Sequence, residues 1–160
     1  MSEKINLVGR SRTEIAEILG PHVDRDFRSR QVARWIIDRN ASAFAEMTDL
    51  PKDLREDLAT RFLLADPVVA EVMGSRDGSR KYLLELGDGV AVEGVSMLEG
   101  AKATFCLSSQ AGCAVGCTFC VTGALGAGRN LTAQEIVGQY RLMLRGLDDE
   151  VERVNLVFMG

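Results

Sequence analysis

From Ala101 to Met159 the sequence reads strand, loop, helix, strand, and that order leaves few folds open. Ala101 to Leu107 is a strand candidate. Thr132-Ala133-Gln134-Glu135 is a capping box, in which the hydroxyl and the carboxylate each satisfy a free backbone N–H of the first turn. Behind it Ile136, Val137, Tyr140, Met143, Leu144 and Leu147 recur at helical spacing as a buried stripe. Asp148 to Arg153 is a charged connection, and Val154 to Met159 is an apolar run of the kind found in buried parallel strands. Together these form one βαβ unit. A parallel pair under one helix leaves Leu156 and Phe158 poorly covered, so the expectation is a larger α/β domain that this chain contains only in part.

The upstream chain changes period twice. Ser11-Arg12-Thr13-Glu14 is a second capping box, opening a short helix with Ile15, Ile18 and Leu19 on one side. A helix from about Asp26 to Asp38 carries Val32, Trp35 and Ile36 toward a core. Pro51 suits the first turn of a third, in which Leu54, Leu58 and Phe62 recur. Residues 1–65 thus read as a small helical domain. Val68 to Ser75, Arg80 to Leu86 and Val90 to Met97 then read as strands joined at Asp77-Gly78 and Asp88-Gly89, a β meander connecting to the βαβ unit at 101–160. With 160 residues and 46% hydrophobic content, the chain has enough apolar material for real cores. No segment is long and apolar enough to span a bilayer and no signal pattern opens the chain, so the expected compartment is the cytoplasm.

All four cysteines, Cys106, Cys113, Cys117 and Cys120, fall in one short window. A disulfide framework would spread them to staple distant segments, and in a reducing compartment such a cluster reads as metal or redox chemistry. Three thiolates at Cys-x-x-x-Cys-x-x-Cys spacing can hold three corners of a four-iron cluster, leaving one iron open to a substrate or cofactor. Gly112 and Gly116 suit a chain that must wrap closely round such a group. Zinc, with Cys106 as a fourth ligand, is the structural alternative. The only histidine, His22, is remote from the loop. The net charge of -4 argues against a partner held by bulk electrostatics alone and does not exclude RNA, and Arg25, Arg28, Arg30, Arg34 and Arg39 outnumber Asp26 and Asp38 along one segment. That segment is either a phosphate-facing patch or a solvated helix face laced by the pairs Asp26–Arg30 and Arg34–Asp38.

The cysteine loop, with Phe119 before its last cysteine, resembles that of the radical S-adenosylmethionine enzymes. Cys106-Leu107-Ser108-Ser109-Gln110, Arg129-Asn130-Leu131-Thr132-Ala133 and Asn155-Leu156-Val157-Phe158-Met159-Gly160 narrow the resemblance to the RlmN family of RNA adenine-C2 methyltransferases. Upstream, Phe27-Arg28-Ser29-Arg30-Gln31, Glu46-Met47-Thr48-Asp49-Leu50-Pro51, Ser79-Arg80-Lys81-Tyr82 and Val92-Glu93-Gly94-Val95 resemble the same family.

The resemblance implies the fold of a radical SAM partial (β/α) barrel. It also implies methylation of adenosine C2 in 23S rRNA and in tRNA, with a [4Fe-4S] cluster, S-adenosyl-L-methionine and an electron donor for the cluster. Adenine C2 has neither an acidic hydrogen nor a lone pair to attack a methyl sulfonium, so a radical route is what the substrate demands. By resemblance Cys113, Cys117 and Cys120 are the cluster ligands. Cys106 matches the cysteine that resolves a methyl-cysteine intermediate through a transient disulfide, and Glu93 matches a proton-accepting glutamate. The carrier cysteine is absent from this chain, so the 160 residues alone are expected not to turn over. From the residues themselves, Cys106 reads equally as a buried strand thiol, Glu93 as an exposed strand residue on the face of Ala91, Val95 and Met97, and Phe119 as packing. A related family that methylates adenine C8 and a non-catalytic zinc-dependent RNA-binding module remain the alternatives. The oligomeric state is left open.

Overall fold

The computed structural model describes residues 4–124, 126, 128–147 and 151–159, and the chain divides into two compact units, Met1–Ala65 and Asp66–Gly160. Asp148 to Glu150, in the charged connection, and Gly160, at the end of the last motif, lie outside the described residues.

The first unit runs β1 (Ile5–Asn6), α1 (Arg12–Leu19), α2 (Asp26–Ile37), α3 (Lys52–Arg61) and β2 (Phe62–Leu63), with 3-10 turns at Gly20–His22 and Phe44–Glu46. The Ser11 capping box forms as expected: Ser11 accepts from the Glu14 N–H while Glu14 reaches back to the Ser11 N–H. Leu7, Ile15, Leu19, Val32, Met47 and Leu58 are fully buried together, and Trp35 packs against this core while its indole N–H donates to Asp49. The tryptophan is therefore a packing residue. Its outer face carries the Arg39 guanidinium at 4.2 Å. In the arginine segment, Asp38 is held by Arg12 at 2.6 Å, and Asp24 draws in Arg25 and Arg28.

The second unit contains β3 (Val68–Gly74), β4 (Arg80–Glu85), β5 (Ala91–Glu99), β6 (Lys102–Ser108), β7 (Gln110–Ala111), α4 (Val121–Ala124), β8 (Arg129–Asn130), α5 (Ala133–Arg145) and β9 (Arg153–Met159). The meander and the βαβ unit share one five-stranded sheet, ordered β3-β4-β5-β6-β9, antiparallel except for the β6–β9 pair. Period-2 alternation sorts β6 cleanly. Ala103, Phe105 and Leu107 are buried under α5, and Thr104, Cys106 and Ser108 face the other way. On β9 even the helix-side residues Leu156 and Phe158 are 46% and 60% exposed, as the pattern of a lone βαβ unit requires.

The α5 stripe differs from expectation. Val137 is exposed, whereas Gln139 and Arg141 are fully buried beside Met143. Each buried polar group has a specific partner that periodicity cannot reveal: Gln139 bonds the Ser108 backbone, and Arg141 bonds Asp66 at 2.7 Å.

Candidate functional site

Strand β6 delivers the chain directly into the cysteine loop, at the carboxyl end of the β6–β9 parallel pair, where open α/β sheets bind ligands. The short ribbon β7–β8 closes the loop at its base through Gln110↔Asn130 and Ala111↔Arg129. Inside this neck, Cys113 N–H donates to the Gly126 carbonyl at 3.1 Å. The neck is too narrow for side chains. A Cβ on Gly128 would collide with the Ala111 carbonyl oxygen, and one on Gly112 would lie 2.6 Å from the Gly126 carbonyl oxygen. Gly112 and Gly116 adopt φ of 83° and 65°, the left-handed conformation that glycine takes without penalty.

The loop's three cysteines are free thiols, Cys113 buried and Cys117 and Cys120 half-buried. The Gly123 backbone N–H, with help from Thr122, holds the Cys120 thiol below its ordinary pKa and so favours the thiolate, the form that ligates metal. Among the described residues no three His, Cys, Asp or Glu side chains stand gathered as a metal-ligating group. The fit to an iron–sulfur cluster therefore rests on donor chemistry: three unoxidised thiols on one glycine-necked loop, one of them already biased toward thiolate. That donor set suits a cluster held at three corners. Phe119 is 90% exposed, so the packing role open to it in the sequence is not the one it takes.

Strand pairing puts the two remaining candidates on one face. Glu93 pairs across β4 with Leu83, Val95 pairs across β6 with Cys106, and cross-strand partners share a face. Glu93 and Cys106 thus lie on the sheet face opposite α5. Glu93 is exposed, with its carboxylate 2.6 Å from Lys81 Nζ. Cys106 is half-buried. Glu93, Lys81, Ser108, Gln110, Gly112 and Thr122 line a cavity of about 530 Å³ between β5 and the base of the cysteine loop. His22 takes no part; its ring meets Phe62 edge-on at 5.3 Å.

Arg129 belongs to the Arg129-Asn130-Leu131-Thr132-Ala133 motif, and its role depends on the fold. Its guanidinium bonds Asp88, at the β4–β5 turn, at 2.7 Å and Glu135, in the first turn of α5, at 2.6 Å. Arg129 thereby ties the loop exit to the hairpin tip and the helix start. The arginine holds both carboxyl groups below their ordinary pKa values, chiefly through these hydrogen bonds. Carboxylates depressed in the folded state add stability above their unfolded pKa values of about 4, and that stability is lost as pH falls through the folded values. Arg129→Met is expected to lower the urea midpoint at pH 7. The deficit relative to wild type should shrink steadily below about pH 4, and urea titrations across pH 3–7 check this.

Residues 5–64 match the model of the "Ribosomal RNA large subunit methyltransferase N-terminal domain". The protein named dual-specificity RNA methyltransferase RlmN from Halorhodospira halophila is 43% identical over 99% of this chain and 44% of its own length. Its namesake from Geobacter sulfurreducens is 43% identical over 100% of this chain and 43% of its own length. The chain belongs to the RlmN family. It spans less than half the length of these curated relatives. A crystal structure of a radical SAM methyltransferase from Sphaerobacter thermophilus superposes with a TM-score of 0.80 at 38% identity, covering 89% of this chain and 42% of that one. The fold is accordingly α/β: a small helical N-terminal unit, a meander, and the first βαβ of a radical SAM partial barrel. No helix among the described residues is long and apolar enough to cross a membrane.

Proposed function

We propose that this chain is the cluster-binding part of a radical SAM RNA methyltransferase acting in the cytoplasm on C2 of adenosine in 23S rRNA and in tRNA. The observation that carries the reading is the three-thiol loop, necked by Gly112 and Gly128, at the end of β6 in a member of the RlmN family. The relatives' name, dual-specificity RNA methyltransferase, supports two kinds of RNA substrate. In this reading residues 1–65 form an accessory domain that helps hold folded RNA, 66–100 connect it, and 101–160 begin the barrel.

Cys113, Cys117 and Cys120 would hold a [4Fe-4S] cluster, which when bound supplies one electron to S-adenosyl-L-methionine through an iron left open by the protein. The protein residues have separate tasks. The Gly123 N–H favours the Cys120 thiolate, and the neck fixes where the loop begins and ends. Glu93 serves as proton acceptor at the cavity wall. Cys106 serves as the resolving thiol: as its thiolate forms a transient disulfide with a carrier cysteine that is not among these 160 residues, the carrier's bond to the transferred carbon breaks and the electron pair goes to that carbon, which is protonated to the methyl group.

Anaerobic reconstitution tests the cluster. Wild-type chain is expected to take up iron and sulfide, and Cys117→Ala to lose most of both together with the visible charge-transfer absorption. Stoichiometric zinc with no iron uptake by the wild type would sink the proposal in favour of a zinc module. Nucleoside mass analysis of RNA treated with the full-length enzyme separates C2 from C8.

A further inference from the structure

The sheet contains a break that its hydrogen bonds explain. The β5–β6 ladder runs from Glu99↔Lys102 to Val95↔Cys106 and stops there, although both strands continue. Two more steps would pair Gly94 with Leu107 and then Glu93 with Ser108. Ser109 N–H points the other way, donating to Met159 on β9 at 2.7 Å, so by strand parity the Ser108 N–H and carbonyl point toward β5. Neither reaches it. Gln139, fully buried on α5, accepts from the Ser108 N–H at 2.9 Å and donates to the Ser108 carbonyl at 3.0 Å. A primary amide has the same donor and acceptor pair as a peptide group, so it can replace one strand partner completely.

We infer that Gln139 is a positioning residue: by standing in for β5 at Ser108, it fixes where β5 and β6 part and so where the cavity beside the cysteine loop opens. The cavity lies in this fork. Lys81, Leu83 and Glu93 line it from the β4–β5 side, and Ser108, Gln110 and Gly112 from the other. A hydroxyl contact crosses near the vertex, Ser108 Oγ donating to the Glu93 carbonyl at 2.7 Å. At the vertex α5 approaches the sheet closely: the Cβ position of Gly94 lies 2.2 Å from Met143 Cε and 3.8 Å from Gln139 Oε1. Without the amide, the part-buried Ser108 N–H and carbonyl would lose both partners, and closure of β5 over them, which narrows the cavity, or entry of water would be needed to replace them. What the cavity receives rests on the proposed function; the role of Gln139 in shaping it does not.

Amide hydrogen exchange in the 160-residue chain tests the inference with two variants. Gln139→Met keeps the length and removes both hydrogen bonds. Its Ser108 amide is expected to exchange about 10-fold or more faster, with Phe105, Cys106 and Leu107 within about twofold of wild type. Gln139→Glu keeps an acceptor for the Ser108 N–H and is expected to leave that amide close to wild type. If Gln139 merely fills space, methionine is the milder change, and the order of the two variants reverses. That reversal, unchanged protection in Gln139→Met, all of β6 accelerating together, or outright unfolding of Gln139→Met would each overturn the inference. Should Gln139→Glu alone fail to fold, methionine against wild type still decides. Iron uptake by the wild type is read separately, so failure of the cluster reading and failure of the Gln139 role give different results.

Discussion

Gly128→Ala is expected to leave the sheet folded and to strip the cysteine loop of most of its capacity for iron. The added Cβ collides with the Ala111 carbonyl oxygen, and the Ala111 carbonyl carbon lies within 2.8 Å. Both are backbone atoms, so no rotamer change relieves the clash. The β7–β8 crossing must open, and the Cys113 N–H to Gly126 carbonyl bond that sits inside it opens too. Forced overpacking costs about 1–3 kcal/mol, and if that cost is relieved by opening the neck, the loop's affinity for the cluster falls by about 5- to 150-fold. Gly116→Ala is the informative control. Gly116 has φ of 65° but open space around its Cβ position, so alanine meets only the left-handed backbone penalty of about 1–2 kcal/mol. Exchange at the β7–β8 amides should accelerate in Gly128→Ala and stay unchanged in Gly116→Ala. Equal iron uptake by Gly128→Ala and wild type would show that the neck does not govern the loop.

What the sequence made legible follows the range of the interactions involved. Both capping boxes were readable because their partners lie three residues apart, and both form with Ser11–Glu14 and Thr132–Glu135. Alternation placed Glu93 with Ala91, Val95 and Met97, because a strand's faces are fixed by parity alone. Cysteine spacing located the loop. The neck was not legible, since two-residue strands at Gln110 and Arg129 exist only because the loop closes on itself. Helical periodicity misjudged α5 for a related reason. Gln139 and Arg141 count as solvent-facing by residue type, and they are buried because Ser108 and Asp66, far away in sequence, supply partners. Arg129 belongs with them, its value lying in joining Asp88 to Glu135.

The second large effect is expected at Asp66, which the sequence did not single out. Its carboxylate is 7% exposed and receives Arg141 Nε at 2.7 Å and Arg145 Nη2 on its other oxygen. Arg141 is itself 3% exposed, so the Asp66 carboxylate is one of the groups that hold a buried cation against α5. Removing one partner of a buried pair costs up to about 3–5 kcal/mol, because the remaining ion keeps its desolvation penalty. Total stability is only about 5–15 kcal/mol for a domain, so Asp66→Ala should bring residues 66–160 close to unfolding at room temperature. Arg145→Met, at a site one-third exposed, should cost about 1 kcal/mol or less. The chain carries its own reporters for a clean test. Its single tryptophan, Trp35, lies in the first unit, and both tyrosines, Tyr82 and Tyr140, lie in the second. Urea unfolding of Asp66→Ala should shift the tyrosine transition to much lower denaturant while the Trp35 transition moves far less. Coincident shifts of equal size would mean that the two units unfold as one, and an unmoved tyrosine transition would mean that the Asp66 pair contributes little to holding α5 on the sheet.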